Sequence, residues 1–104
     1  MVSYRGRLDI IADILRVAKQ NAKKTEIMYR ANLSYKVLEK YLKKTTQACL
    51  LEFDGEERCY ILTKKGQEFL EAYKDYAKIN KRVEQHINNV NDKKKSLEKL
   101  CRSG

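Results

Sequence analysis

The sequence contains no proline and no tryptophan, and it has only four glycines, three cysteines and one histidine. Because neither proline nor glycine occurs between Gln67 and Arg102, nothing in that stretch interrupts a helix. No apolar run approaches the roughly 18 residues that a membrane span requires. The lack of a Cys-x-x-Cys pair argues against a metal site, and the lack of a glycine-rich phosphate loop or an acid–base cluster argues against an enzyme or a bound cofactor.

The N-terminal residues and the cysteines both favour an intracellular protein. The run MVSYRGRLDI has no apolar segment and no small-residue cleavage site, so we expect no signal peptide and a cytoplasmic location. Cys49 and Cys59 are close enough in sequence to meet across a hairpin, but two half-buried free thiols are favoured in a reducing compartment.

Positive charge is concentrated in one part of the chain. Lys and Arg number 23 against 14 Asp and Glu, for a net charge of +9. The window from Lys19 to Lys44 carries eight of these cations against only Glu26 and Glu39. A basic concentration of this kind predicts a polyanionic partner, nucleic acid before membrane.

Apolar spacing predicts three short helices before residue 46. The first spans Arg7 to Gln20, the second begins after an N-cap at Thr25 and ends at Arg30 or Ala31, and the third runs from an N-cap at Ser34 to about Thr45. Their inward side chains are predicted to be Leu8, Ile11, Ala12, Ile14, Leu15, Ala18, Ile27, Met28, Ala31, Val37, Leu38, Tyr41 and Leu42. Tyr29 is also predicted to lie in the core.

A β-hairpin and a long helix complete the chain. Asp54-Gly55 separates two short apolar runs, which is typical of a hairpin. Leu51, Tyr60 and Leu62 are expected to face the core, although a slip of one residue would exchange the two faces. Thr63 is the predicted N-cap of the last helix.

Three helices, a two-stranded ribbon and a closing helix follow the order of a winged helix-turn-helix domain. The runs KTEIMYRANLSY (24–35) and YILTKKG (60–66) resemble the ten-kilodalton winged-helix DNA-binding proteins of thermophilic crenarchaea. That resemblance implies an α+β, mostly α fold, with a DNA-binding head over residues 1–66. It also implies that residues 67–104 form an antiparallel two-stranded coiled coil in a chromatin-type homodimer. The acidic wing tip at 54–57 departs from the family pattern and leaves Arg58 as the only cation of the wing.

Candidate DNA contacts follow from this layout. The start of helix 3 would enter the major groove, and neighbouring cations would hold phosphates. The residues nearest the bases are Ser34, Tyr35, Lys36 and Lys40; those at phosphates are Lys23, Lys24, Thr25, Lys43 and Lys44; Arg58 lies in the wing, and Arg5 and Arg7 form a further arm. Because predicted helix 3 lacks an exposed Arg or Gln, we expect contacts dominated by the DNA backbone.

The last helix carries an apolar seam in an unbroken 4-3 alternation from Phe69 to Cys101, which predicts a coiled coil with a second copy. Parallel pairing would stack Lys94 on Lys94 at considerable cost. Antiparallel pairing centred between Asn88 and Asn89 avoids this. The dimerisation residues would be Tyr76, Ile79, Asn80, Val83, Ile87, Val90, Lys94, Leu97, Leu100 and Cys101. A register shifted by one heptad, centred near Glu84 and Gln85, would instead pair Phe69 with Cys101.

An antiparallel overlap of roughly 26 residues would be about 40 Å long and would hold the two heads at opposite ends. The sequence therefore predicts a dimeric, weakly specific protein that binds double-stranded DNA and bridges or organises the chromosome in the nucleoid. A sequence-specific transcription regulator of the same fold is the alternative, and a protein-interaction module that does not bind DNA is the alternative from another class.

Overall fold

The computed structural model describes residues 5–102. It contains helices α1 (Arg7–Ala18), α2 (Lys24–Arg30) and α3 (Tyr35–Gln47), strands β1 (Leu51–Asp54) and β2 (Cys59–Leu62), and helix α4 (Lys64–Leu100). The predicted mostly helical class, with a small antiparallel ribbon and a long final helix, is confirmed. Among the described residues two compact units are distinguished, the head at 5–73 and the rod at 74–102.

Local hydrogen bonds set the ends of the first two helices. The backbone N–H of Gly6 donates to Asp9 Oδ2 at 2.8 Å, just before α1 begins. Helix α1 ends at Ala18 rather than at the predicted Gln20, since Asn21 has a φ of 51° that is incompatible with a helix. The predicted cap at Thr25 is wrong: Lys23 is the N-cap of α2, and its backbone N–H donates to Glu26 Oε1 at 3.2 Å.

Helix α3 is amphipathic and begins where its sequence predicts. Ser34 Oγ accepts a hydrogen bond from the backbone N–H of Val37 at 3.3 Å, so the predicted N-cap is confirmed. Leu38, Tyr41 and Leu42 are buried on the inner side. Thr45 is buried as well, and its hydroxyl donates to the carbonyl of Tyr41 at 2.8 Å.

The hairpin has the predicted faces. Leu51 pairs with Leu62, and Phe53 pairs with Tyr60. Leu51 is 1% exposed, while Tyr60 and Leu62 pack against the core, so the three predicted core-facing side chains are confirmed. A single backbone pair between Ala22 and Tyr60 adds a further partner to β2, with Tyr60 N donating to Ala22 O at 2.7 Å. One isolated pair has no sequence periodicity, and nothing in the sequence predicts it.

The head core takes side chains from every helix and from the ribbon. Its buried members are Ala12, Ile14, Leu15, Ala18, Ala22, Ile27, Ala31, Leu38, Tyr41, Leu42, Leu50, Leu51 and Leu70. Two predictions of inward side chains are wrong, because Tyr29 is 86% exposed and Leu8 is 40% exposed.

The first turns of α4 belong to the head. Thr63 Oγ1 accepts from the backbone N–H of Gly66 at 3.0 Å, which confirms the predicted N-cap. Leu70 is buried, and Phe69 and Tyr73 pack against the same core. The head therefore continues to Tyr73, past the boundary at residues 66 and 67 that the sequence predicts.

The three cysteines are free thiols. Cys59 is buried, whereas Cys49 and Cys101 are exposed, so the expected pair of half-buried thiols at Cys49 and Cys59 becomes one buried and one exposed thiol. Within residues 5–102, no helix is long and apolar enough to cross a membrane. No three His, Cys, Asp or Glu side chains in that range are placed to hold a metal ion.

Candidate nucleic-acid interface

The outer face of α3 is a surface of exposed lysines. Burial of the inner side turns Lys36, Lys40, Lys43 and Lys44 outward, and all four are exposed. The ion pairs found among the described residues involve none of the four. The ammonium groups of Lys40 and Lys44 lie 5.7 and 5.6 Å from the ring centroid of Tyr41. The helix thus presents concentrated positive charge to solvent. We call this surface the α3 lysine face.

The start of α3 adds polar groups beside the α3 lysine face. Ser34 is exposed, and its hydroxyl oxygen caps the helix. Tyr35 follows it with 60% of its surface exposed. The short turn from α2 includes Asn32 with a φ of 53°, a conformation that Asn tolerates better than most residues. Because the turn between α2 and α3 is so short, the first residues of α3 lie beside α2.

Helix α2 and its N-cap contribute three of the predicted phosphate contacts, and these three residues differ in exposure. Lys23 and Thr25 are exposed. Lys24 is half-buried, forms an ion pair with Glu39 of α3, and donates a hydrogen bond to the hydroxyl of Tyr35 at 3.2 Å. Lys24 is therefore held against α3, whereas its two neighbours project into solvent.

The two predicted arm residues differ in the same way. Arg7 is exposed at the first turn of α1. The Arg5 guanidinium donates to the carbonyl of Ala31 at 2.7 Å, to the carbonyl of Asn32 at 2.8 Å, and to the carboxylate of Asp13 at 3.0 Å. Arg5 thus binds the turn between α2 and α3, and its role within the head is to hold that turn in place.

The wing tip is acidic and folded on itself. Asp54 Oδ1 accepts from the backbone N–H of Glu56 at 3.0 Å and from that of Glu57 at 3.4 Å. Arg58 is exposed with a φ of 52°. Phe53 is 54% exposed, and its ring centroid lies 5.0 Å from that of Tyr60. Three carboxylates close to Arg58 reduce the attraction of this loop for an anion.

The rod exposes the predicted seam. Ile87 is 52% exposed and Val90 is 53% exposed, although both are large apolar side chains. The other apolar members with at least 47% exposure are Tyr76, Ile79, Val83, Leu97 and Leu100. Asn80, Lys94 and Cys101 complete the seam and are also exposed, and Asn80 Nδ2 donates to Glu84 Oε1 at 3.5 Å. A row of exposed apolar side chains of this kind is typical of a helix that pairs with another helix in a coiled coil.

The surroundings of two residues near the α3 lysine face differ from what the sequence predicts. Tyr29 is exposed on α2, since no described element covers that side of the helix. Glu39, which the sequence shows only as one of two acidic residues in the basic window, forms an ion pair with Lys24 across the two helices. The spacing of four residues between Tyr35 and Glu39 places both side chains on one side of α3. This spacing is the feature of the sequence that could have indicated that the two side chains act together.

The order of elements, the cap at Ser34 and the antiparallel ribbon together define a winged helix-turn-helix protein. The chain belongs to the winged helix-turn-helix family, whose profile matches residues 4–81. The rod beyond residue 81 lies outside that match.

Solved structures show the same fold. The crystal structure of Sso10a-2, a DNA-binding protein from Sulfolobus solfataricus, aligns at 26% identity and a TM-score of 0.68, and the alignment covers 96% of this chain and 100% of that one. Wild-type ZitR from Lactococcus lactis aligns at 15% identity with a TM-score of 0.54, covering 96% of this chain and 76% of that one. A cysteine-to-serine mutant of ZitR gives the same identity and score. At that identity the ZitR match supports the fold alone. Comparison with curated proteins found no match.

Proposed function

We propose that this protein is a dimeric DNA-binding protein of low sequence specificity that bridges or compacts duplex DNA on the chromosome, in the cytoplasm. The observation that carries the proposal is the α3 lysine face: four exposed lysines on the second helix of a helix-turn-helix, outside every ion pair found in residues 5–102. Membership of the winged helix-turn-helix family and the likeness to Sso10a-2, a DNA-binding protein, support it.

In this proposal α3 enters the major groove by its N-terminal end. Ser34, Tyr35, Lys36 and Lys40 approach the bases, and Lys23, Thr25, Lys43 and Lys44 contact phosphates. Helix α3 contains no arginine, the residue that most often reads guanine through two hydrogen bonds. Lysines act mainly as point charges, so binding rests on the phosphate backbone and on counterion release.

The seam of the rod supports a homodimer, with a second copy of this chain as the occupant. The chain's own polar pattern selects an antiparallel partner, since Lys94 would meet Lys94 in a parallel pair. The head packing favours the register centred between Asn88 and Asn89. The shifted register uses Phe69 and Tyr73 as seam residues, and both already pack against the head core.

The architectural role follows from this arrangement of two copies. Antiparallel helices have their N-terminal ends, and hence the two heads, at opposite ends of the pair. Two binding heads on one particle suit bridging or organising DNA rather than reading two adjacent half-sites. The resemblance of residues 24–35 to crenarchaeal chromatin-type proteins agrees with this role.

The test measures binding to a random duplex and to a promoter duplex at several salt concentrations, with molecular mass recorded in parallel. We expect the logarithm of affinity to fall linearly with the logarithm of salt concentration. Lys40→Ala should weaken both duplexes equally and reduce the salt slope by about one. Lys19→Ala removes the same charge outside α2 and α3 and serves as the control. Absence of binding to either duplex would refute DNA binding, and an affinity that does not change with salt would refute contacts dominated by the phosphate backbone. A loss confined to the promoter would favour a sequence-specific regulator.

A further inference from the structure

Three side chains from two helices meet beside the proposed base-contacting segment. The Lys24 ammonium forms an ion pair with a carboxylate oxygen of Glu39, donates to the Tyr35 hydroxyl at 3.2 Å, and lies 4.6 Å from the centroid of the Tyr35 ring. Lys24 is the first residue of α2, whereas Tyr35 and Glu39 lie one turn apart on α3. The Lys24–Glu39 pair thus connects the two helices of the helix-turn-helix on its outer side.

Glu39 is the only carboxylate of α3, and it stands among the lysines of the α3 lysine face. Its pair with Lys24 neutralises one of the cations that the sequence places at phosphates. The pair is accessible from solvent, since the side chains of Lys24 and Glu39 are 36% and 46% exposed. A phosphate that approaches Lys24 must therefore displace Glu39 or meet its negative charge.

The groups presented by DNA bases differ in what they offer Glu39. A carboxylate only accepts hydrogen bonds. In the major groove, cytosine presents the N4 amino donor and adenine the N6 amino donor, whereas guanine and thymine present only acceptors. A carboxylate near guanine O6 or thymine O4 is repelled, but near cytosine N4 or adenine N6 it finds a partner that can replace Lys24.

We propose that Glu39 is a specificity-determining residue, which withholds Lys24 from the phosphate backbone until an amino group of cytosine or adenine takes over its carboxylate. The inference rests on the proposed function, because it requires α3 to face the major groove. It deepens that function in two ways. It names Glu39 as the residue that weakens binding to arbitrary sequence, and it names cytosine and adenine as the bases that relieve this weakening. Once released, Lys24 adds one phosphate contact to the complex.

The experiment compares wild type with Glu39→Gln, which keeps the shape of the side chain and removes its charge. On a random duplex we expect Glu39→Gln to bind about two- to fivefold more tightly, the range of an exposed ion pair. Its salt slope should be steeper by about one, because Lys24 becomes free to release a counterion at a phosphate. In selection from a duplex pool with randomised positions, wild type should enrich cytosine or adenine at one position. Glu39→Ala, which has neither the charge nor the acceptor oxygens, should lose that enrichment, whereas the Gln amide oxygen can still accept from the same amino groups.

Two controls separate this mechanism from a general change of charge. Glu71→Gln removes one exposed carboxylate of α4 that belongs to the head and should leave both readouts at wild-type values. In a Lys24→Ala background, Glu39→Gln should lose most of its effect on affinity, since a double-mutant cycle isolates the coupling of the two side chains.

The possible results separate failure of the proposed function from failure of this inference. Wild-type protein that fails to bind any duplex overturns the proposed function and this inference together. Salt-dependent binding by wild type, with an unchanged affinity for Glu39→Gln and an unchanged selection profile for Glu39→Ala, overturns the inference alone. An effect of Glu39→Gln that persists in full without Lys24 would also overturn it.

Discussion

The phenol of Tyr73 donates a hydrogen bond to the carboxylate of Asp9, connecting the last turn of the head in α4 with the first turn of α1. The Arg16 guanidinium lies 5.5 Å from the centroid of the same phenol ring. The contact joins residues that are 64 positions apart. It therefore closes the head by tying its beginning to its end.

Replacing Tyr73 by Phe tests this contact. Tyr73→Phe should destabilise the protein by about 1–2 kcal/mol, because a half-exposed hydrogen bond to a carboxylate is lost while the ring is kept. The free energy of unfolding in urea, measured at one protein concentration, checks the value. Tyr29→Phe makes the same chemical change at a side chain that is 86% exposed, and it should leave stability unchanged. Equal losses in the two variants would contradict the assigned role.

The same pair predicts a pH dependence. The hydrogen bonds from Tyr73 and from the backbone of Gly6 lower the pKa of Asp9, and burial together with the bond to Asp9 raises the pKa of Tyr73 to about 12. The Asp9 contribution is present above the ordinary carboxyl pKa and is lost as pH falls through the lowered one. The Tyr73 contribution is present below its ordinary pKa of about 10 and is lost as pH rises through about 12. The stability difference between wild type and Tyr73→Phe should therefore be largest between these limits, and unfolding titrations across pH measure it.

Gly66 is required by a close approach between α4 and the backbone before β1. A Cβ at this position would lie 2.3 Å from the carbonyl oxygen of Leu50 and 2.5 Å from Leu62 Cδ1. Alanine favours a helix over glycine by about 1 kcal/mol, but the clash with backbone should outweigh this and make Gly66→Ala destabilising by about 2 kcal/mol. Gly55→Ala, where nothing lies within 4 Å of the added carbon, is the matched control. Thermal unfolding of both variants decides the point, and a stabilised Gly66→Ala would refute it.

Arg5 holds the turn between α2 and α3 through the carbonyls of Ala31 and Asn32. Arg5→Ala should cost about 1–2 kcal/mol of stability, since these hydrogen bonds come from a charged donor that is partly exposed. It should also weaken DNA binding through the loosened turn. Arg7→Ala removes an equal charge from an exposed side chain and should leave stability unchanged. Hydrogen exchange at Asn32 and Leu33 would report the loosening directly, and unchanged exchange rates would exclude it.

The dimer proposal predicts that Ile87→Asp gives monomers. Ile87 lies near the centre of the seam in both registers, and two buried aspartates without partners would oppose association. Light scattering should then give a mass near the 12.3 kDa of one chain. Gln85→Asp introduces the same charge on the opposite side of the helix and should remain dimeric. A monomer that still binds DNA weakly through one head is the expected companion result, and an unchanged mass for Ile87→Asp would remove the seam from the interface.

Local patterns in the sequence predicted much of the head. Ser34 and Thr63 were identified as caps because a hydroxyl before a helix satisfies backbone N–H groups within the next turn. Asp54-Gly55 located the wing for a similarly local reason. The prediction of a Thr25 cap before α2 was wrong, because the N-cap is Lys23, which has no side-chain cap hydrogen bond and which residue type alone does not identify. The prediction that Tyr29 lies in the core was wrong because it rested on the general preference of aromatic side chains for burial, which does not say which side of a helix is covered.

The sequence by itself determined the order of the elements, the amphipathic division of α3 and the apolar seam of α4, since each is a periodicity within a single segment. Only the tertiary structure decided that Arg5 binds the turn, that Gly66 meets Leu50, that Tyr73 belongs to the head and that Lys24 pairs with Glu39. Each of these is a contact between segments that no periodicity relates. Their geometry exists only once the helices have packed around a common core.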